Sequence, residues 1–559
     1  MPTRARADEE RSPSGEPCRR GLDGGPIREQ PLQLGRLPPH CLLHLTGRHG
    51  CEVNLISARA RHDPSRMDNY PIPNAEAART LGEALRTVGY SEEAVSRLLG
   101  DEAYSGDRED VPVGERRLPR TRLATAVRAF FLQLPVSRRD AVSALGRRGV
   151  DALAATGLAE VGDDLVPRVR ILPVGDLLVA SDDYPKETDD DKKPPDYVAA
   201  YTPTSRLCDS LTPRRRVGRA LDVGTGSGVQ AMLAAQHARH VVATDVNARA
   251  LAYTELNAAL NGLTNIDCRR GSLFEPVTGE SFDLITCNAP YVVSPESRWA
   301  YRDGGFQADE LSERIVRSAA GHLADGGFAT LVVSWIAGDV DEPDVRPLAW
   351  TETIDCDSWI LPIWGSDPLD HAATWNDELA ADPERFGDAL DTWTAYLTRL
   401  GVRWVSEGAV VLHRRTGRTH TTRVDEVEEE DLEDAGDQIQ RAFESRARLS
   451  ELGRNTKLLE ARLSVAGPMR LEHELEPRRG RTAVVAASVQ LAEGTNPIVE
   501  APPRALEIVA ALDGAASLGD VIQKSAERLR LAEPQTSRFR REVLDVSREL
   551  LELGALKFV

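Results

Sequence analysis

The chain has 559 residues, of which 41% are apolar and 28% charged, with 7 cysteines and a formal net charge of −19. That length accommodates three or four domains with cores of their own and excludes a small disulfide-stapled scaffold. No apolar run approaches the roughly 20 residues of a membrane-spanning helix, and the negative balance argues against an electrostatic grip on a nucleic-acid backbone unless basic surface gathers on one face. The cysteines are odd in number, form no C-x-x-C pair and mostly sit singly among apolar residues. That usage points to a reducing cytoplasm, with the thiols as small buried hydrophobes rather than as zinc or redox ligands.

Residues 1–66 carry 11 Arg against 8 Asp plus Glu with no sustained apolar period, and disorder is expected there. Met67 opens the first segment with folded character, which makes it a candidate for the native start. From about 75 to 160 the spacing is helical. Leu81, Leu85 and Val88 precede a stop at Gly89, and Ser91 is placed to cap the next helix. Short extended runs at 157–161, 165–172 and 176–181 follow, so residues 67–195 are expected to form a helical, winged-helix-like unit ending in a charged, proline-containing linker. An ordinary small helical domain is the alternative, and DNA contact is disfavoured by the acidic chain.

From 196 to 415 strand-like runs at 219–223, 240–245, 282–287 and 328–335 alternate with helical sequence, which predicts an α/β fold with a doubly wound, Rossmann-like sheet. Runs at 358–364 and 402–414, separated by a helix around 384–400, complete it. Residues 416–480 are expected to be an acidic helical connector. Nine carboxylates lie within 424–437, read as a solvated helix face, with an acidic docking element as the alternative. Helices at 505–512, 518–529 and 539–553 predict a second winged-helix-like unit over 481–559, more suited to protein than to DNA contact.

The chemistry concentrates in Asp222-Val223-Gly224-Thr225-Gly226-Ser227-Gly228, which follows a strand and opens a helix. Its glycines permit a tight turn and close approach of a ligand to the backbone, while the GxGxG spacing departs from the GxGxxG dinucleotide fingerprint. Asp245 ends the next strand, where a carboxylate can accept both hydroxyls of a ribose, or alternatively cap the following helix. After the strand at 282–287 stands Asn288-Ala289-Pro290-Tyr291.

In this order the three segments resemble class I S-adenosylmethionine-dependent methyltransferases, in particular the branch of release-factor glutamine N5- and adenine N6-methyltransferases. The resemblance covers about 197–415. It implies S-adenosyl-L-methionine as cofactor, with Thr202 in the segment over the methionine end, Asp222, Gly224, Thr225, Gly226 and Gly228 at the turn, Asp245 at the ribose, and Ser272 and Leu273 flanking adenine. Ser272 stands where the family commonly has Asp. Residues 301–306 resemble the Gly-Gly segment of the glutamine methyltransferases and favour an amide-like acceptor.

An amide or adenine nitrogen is planar and weakly nucleophilic, so it reacts only when held in line with the methyl group. The side-chain oxygen of Asn288 and the backbone carbonyl of Ala289 can accept its two N–H bonds, with no strong base required, while Tyr291 stacks on the planar group. The usual second residue of the tetrapeptide is proline; Ala289 keeps the carbonyl but loses the fixed φ. The expected acceptor is protein or RNA, with no membrane partner and no metal. Three other readings stay open: an RNA adenine or guanine N-methyltransferase, which a contiguous arginine-rich face would favour; a cofactor-binding protein without catalysis; and, more remotely, a nicotinamide dehydrogenase. His237, His240 and His322 are read as structural. Trp299, Trp335, Trp359 and Trp364 are read as core, with a place at the substrate mouth as the alternative.

Overall fold

The computed structural model describes residues 71–559 apart from 101–103, 105–109, 183–195, 200, 289, 296–305, 418, 430, 431, 433, 454, 479 and 480. The disorder expected for 1–66 therefore falls outside the described residues, as do Ala289, Trp299 and most of the 301–306 segment.

The side chain of Asn74 accepts the Ala77 N–H at 3.1 Å and starts α1 (Ala75–Thr87). Gly89, at φ +80°, turns the chain, and Ser91 caps α2 (Glu92–Leu99) through the Ala94 N–H. α3 (Val111–Arg117) and α4 (Arg122–Ala126) follow, the latter running on as a π turn through Phe131. Next come β1 (Val136–Ser137), α5 (Arg138–Thr156), kinked at Gly146, and β2 (Ala159–Val161), β3 (Asp164–Pro167), β4 (Val169–Val174) and β5 (Leu177–Asp182). The sheet order is β1-β3-β2, and β4 and β5 form a separate hairpin. One strand was expected over 165–172; the chain makes two, because Pro167 closes β3 and the hairpin begins at Val169.

The central part runs α6 (Pro203–Ser210), β6 (Val217–Val223), α7 (Val229–Ala235), β7 (Ala238–Asp245), α8 (Ala248–Leu260), β8 (Ile266–Arg270), β9 (Phe282–Cys287), α9 (Glu310–His322), β10 (Leu323–Ala337), α10 (Val345–Thr351), β11 (Cys356–Ser366), α11 (Pro368–Thr374), α12 (Pro383–Arg399), β12 (Trp404–Arg414) and β13 (Thr422–Val424). The eight strands lie in the order β8-β7-β6-β9-β10-β12-β11-β13. Those from β8 to β10 are parallel to their neighbours, whereas β12 is antiparallel to both β10 and β11. Alternate residues face opposite cores. Leu221, Val242, Ile285 and Leu331 meet Ile315 and Trp350 of α9 and α10, while Ala220, Val241, Leu284 and Val332 meet Leu207 and Ala231 of α6 and α7. Chain order reverses between β6 and β9, so the loops after these strands share the ligand-binding crevice typical of open α/β sheets.

The N-terminal unit is tied to this sheet through α8. Asn257 and Asn261, one helical turn apart, each accept and donate a hydrogen bond at the backbone of Ala180 and Leu178, completing the edge of β5 as a neighbouring strand would. Asp182 receives the Tyr253 hydroxyl at 2.7 Å and pairs with Arg249.

The acidic stretch 424–437 differs from expectation. Val424 belongs to β13, and among the described residues the next α-helix begins at Gly436. Asp425 accepts the Trp359 indole N–H at 2.7 Å and Glu429 that of Trp364 at 3.1 Å, so this strap carries carboxylates to the donors of β11 instead of presenting a solvated helical face. Beyond it lie α13 (Gly436–Leu452), α14 (Asn455–Glu460), β14 (Arg462–Val465), β15 (Met469–Arg478), β16 (Arg481–Leu491), β17 (Ile498–Glu500), α15 (Pro503–Ala510), β18 (Asp513–Ser517), α16 (Leu518–Arg528), α17 (Gln535–Glu552) and β19 (Leu556–Phe558). The boundary expected at 480 falls between the paired strands β15 and β16. Trp335 and Trp359 are fully buried in the sheet's two cores. Among the described residues no helix is long and apolar enough to cross a membrane.

Candidate active site

The turn from β6 to α7 has Gly224, Gly226 and Gly228 at φ +69°, +56° and +83°. All three sit where side chains with a Cβ are strained. A Cβ on Gly226 would meet nothing within 4 Å, so open space lies over the turn, whereas one on Gly228 would lie 2.8 Å from Thr254 Cγ2 and 3.0 Å from its Cα. Gly228→Ala is therefore expected to destabilise the fold by about 2 kcal/mol through the left-handed conformation and the clash, read as a lowered urea midpoint with unchanged slope.

Asp222 is 2% exposed and engaged entirely within the protein. Its Oδ2 accepts the Thr225 hydroxyl at 2.7 Å and the Ala231 N–H at 3.1 Å, and its Oδ1 accepts the Thr286 hydroxyl at 2.9 Å. The carboxyl thereby staples β6, the glycine turn, α7 and β9 together. Burial pushes its pKa up to about 6, against the opposing pull of these hydrogen bonds. These bonds give the Asp222 carboxyl a part in shaping the turn at which the resemblance places it.

Asp245 ends β7 and reaches the same turn. Its Oδ2 accepts the Gly226 N–H at 3.0 Å and its Oδ1 the Asn247 N–H at 2.8 Å. Burial raises its pKa, and the backbone N–H bonds lower it. The cap of α8 is Asn247, whose side chain accepts the Arg249 N–H, so the capping alternative for Asp245 does not hold. Gly271 N–H donates to Asp245 O at 3.0 Å and draws the loop after β8 alongside. In that loop Leu273 has φ +46° and accepts the Thr244 hydroxyl through its carbonyl at 3.2 Å. Ser272 and Leu273 border a cavity of about 410 Å³ that Arg314 and His322 of α9 also line. His322 stacks on Phe274 with ring centroids 4.9 Å apart, and His237 Nδ1 lies 2.7 Å from Arg215 O; both act in packing, as expected.

Thr202 caps α6, its hydroxyl accepting the Ser205 N–H at 3.2 Å. Asn288, at the end of β9, directs Nδ2 to the hydroxyls of Thr204 and Ser205 at 3.3 Å each. Those two bonds orient the amide so that Oδ1 is the atom left to accept. Gln230 of α7 donates from Nε2 to Ser205 O at 2.7 Å, tying α6 to the glycine turn. The segments at 202–205, 222–228, 245 and 288 are thus brought together at one edge of the sheet.

Tyr291 departs from expectation. It is 7% exposed, packed in the same core as Phe328 and Val332, with its hydroxyl bonded to Thr204 and its pKa driven up mainly by burial and then by Glu407. A ring so enclosed cannot offer a face to an acceptor. Thr204 is a hydrogen-bond partner of both Tyr291 and Asn288.

Glu407 and His371 escaped the sequence reading. Glu407 Oε1 accepts the Trp375 indole N–H at 2.8 Å and lies 3.5 Å from His371 Nδ1, while His371 Nε2 faces Val293 O at 3.0 Å. A lone carboxylate within the apolar run of β12 was the available signal. Burial raises Glu407 to about 7 and depresses His371 to about 4, so between these values both are neutral and the pair is a dipolar contact. A glutamate whose pKa is raised on folding stabilises most below its unfolded value, near 4.3, and loses that contribution as the pH climbs to 7. Glu407→Gln, which keeps the acceptor for Trp375, is expected to remove a loss of up to on the order of 3 kcal/mol between pH 4.5 and 7.5, seen when urea melts of the two proteins are compared across that range.

Residues 202–338, from the cap of α6 to the end of β10, match the family model described as methyltransferase small domain. That match spans about a quarter of the chain. The ribosomal protein uL3 glutamine methyltransferase of Bradyrhizobium diazoefficiens is 34% identical over 166 residues, 27% of this chain and 52% of the relative. Its counterpart from Bordetella pertussis is 35% identical over 185 residues, 29% of this chain and 61% of that protein. Ribosomal RNA small subunit methyltransferase C of an Enterobacter species is 33% identical over 130 residues, 23% of this chain and 34% of the relative. The chain therefore spans between about a third and three fifths of these relatives. Residues 87–171 match a second model, a domain of unknown function (DUF7059).

Proposed function

We propose that the chain is a cytoplasmic S-adenosylmethionine-dependent N-methyltransferase acting on a planar nitrogen, either a protein glutamine amide or a nucleic-acid base amino group. The observation that carries this reading is the convergence of Asn288, held by the α6 hydroxyls, with the glycine turn and Asp245 at the reversal point of the sheet. The residues present fit the cofactor. The open space over Gly226 accommodates a ligand against the backbone, Asp245 presents its carboxylate to two ribose hydroxyls, Ser272 and Leu273 flank the place for adenine, and Thr202 begins the segment for the methionine end. The bound cofactor supplies an electrophilic methyl group on a sulfonium.

Everything else is positioning by the chain. Asn288 Oδ1 accepts one N–H of the acceptor and the carbonyl of residue 289 the other, which aligns the nitrogen lone pair and stabilises the positive charge that develops on it. The proton leaves to solvent after transfer, since the methylated nitrogen is strongly acidic. The methyltransferase small domain provides little recognition surface, and the flanking winged-helix-like units select the acceptor. The names of the relatives support both acceptor classes, a glutamine in a ribosomal protein and a ribosomal RNA.

Calorimetry with S-adenosylmethionine, run beside transfer of radiolabelled methyl into lysate digested separately with protease and ribonuclease, tests the reading. Cofactor binding with label in either fraction supports it. Binding without transfer would replace it with a non-catalytic cofactor-binding protein, and binding of a nicotinamide dinucleotide instead would replace it altogether.

A further inference from the structure

We propose that the arginine-rich surface of α3, α4 and α5 docks the phosphate backbone of an RNA, so that the acceptor class is RNA; the catalytic half of this statement rests on the N-methyltransferase reading. Between residues 116 and 148 the chain has nine arginines and one carboxylate, Asp140. At the chain's overall acidic content about five carboxylates would fall in such a stretch, so arginine-rich coding alone does not account for it.

Eight of the nine, Arg116, Arg117, Arg120, Arg122, Arg138, Arg139, Arg147 and Arg148, are exposed. The ninth, Arg128, pairs with Glu115. Arg116, Arg117 and Arg122 donate to the carbonyls of Pro112, Leu99 and Ala144, contacts that order a guanidinium without neutralising it. Asp140 is occupied by the Ser137 cap of α5.

The fold gathers these groups. The Arg122 bond to Ala144 O, at 3.0 Å, pins the start of α4 to α5 one turn before Arg147 and Arg148. The kink at Gly146, φ +72° and ψ 166°, separates the two halves of α5 there. Arg128 Nε donates to Pro135 O and returns the end of the π turn toward Arg138. Asp163 and Asp164 bound the surface at the Arg138 end, where Arg138 N–H donates to Asp163 O. The surface has a fixed relation to the proposed active site, because Asn257, Asn261 and Arg249 fasten the unit to α8, the helix that follows Asp245.

Planar guanidinium forks suit phosphate oxygens, and binding of this kind carries a salt dependence proportional to the number of phosphates neutralised. An acidic protein is the competing occupant. The full chain is titrated against a fluorescein-labelled 30-nucleotide RNA hairpin, with polyglutamate as competitor. Two variants are compared: one replacing Arg120, Arg139, Arg147 and Arg148 by Gln, the other by Lys. The expected result is wild-type RNA binding that weakens at least 30-fold in the Gln variant, with a slope of log affinity against log salt smaller by about 3, and returns to within threefold in the Lys variant. Cofactor affinity by calorimetry should be equal in all three proteins, which confirms folding. No RNA binding by the wild type, equal binding by the Gln variant, or displacement by polyglutamate as effective as by unlabelled RNA would overturn the proposal. RNA binding that depends on the patch without methyl transfer would uphold the docking surface and overturn the enzymatic reading instead.

Discussion

Asn288→Ala is expected to lower the rate of methyl transfer by a factor of 10² to 10³ while leaving the affinity for S-adenosylmethionine within about threefold. The proposed work of Asn288 lies in the orientation of its side-chain oxygen, set by the two hydroxyls that take Nδ2. Thr204→Ala and Ser205→Ala should each reduce the rate less, about tenfold, because the amide keeps one partner and loses only part of its orientation. The proposed site holds the acceptor by carbonyl-type oxygens without a base, so the rate should be flat between pH 7 and 9 in saturating substrate. A slope of one over that range, or full activity in Asn288→Ala, would require another group at the reacting nitrogen. Single-turnover transfer of labelled methyl, with cofactor affinity measured by calorimetry, separates these outcomes.

The parts of the site that could be read from the sequence are those written in contiguous residues. Glycines at 224, 226 and 228 announce left-handed backbone because no other residue adopts it so readily, and the chain is left-handed at all three. The alternation that places Ala220 and Leu221 on opposite cores is likewise a local property of β6. Tyr291 was misread because burial is not local: the ring is covered by a core assembled from β9, β10 and β12, and nothing in the tetrapeptide itself reports that covering. Glu407 and His371 are separated by 36 positions and meet only when α11 folds against β12. The acidic strap misled for a related reason. Glutamates favour a helix when propensity decides, but pairing of β13 with β11 and the indole donors of Trp359 and Trp364 outweigh propensity here. Pairing also joins β15 to β16, as a hairpin, across the point where a boundary was expected.

Asp245 carries the second large expected effect. In the proposed function two ribose hydroxyls donate to its carboxylate, whose oxygens also take the backbone N–H groups of Gly226, Asn247 and Val246. Two charge-assisted hydrogen bonds, each worth about 1.5 to 3 kcal/mol, imply that Asp245→Ala weakens cofactor binding by about 100- to 1000-fold after partial replacement by water. Asp245→Asn should be little better. An amide can turn only one oxygen toward the two N–H groups, so its NH₂ faces either Gly226 or Asn247 as donor against donor, and the glycine turn loses part of its anchorage to β7. Burial has raised the Asp245 pKa, so the carboxylate proposed to hold the ribose is lost on acidification earlier than for an ordinary aspartate. Cofactor affinity should accordingly weaken toward acid pH in the wild type and become less dependent on pH in Asp245→Asn. Calorimetric titration with S-adenosylhomocysteine at several pH values measures both effects, and affinity retained within threefold in Asp245→Ala would remove the ribose contact from the site.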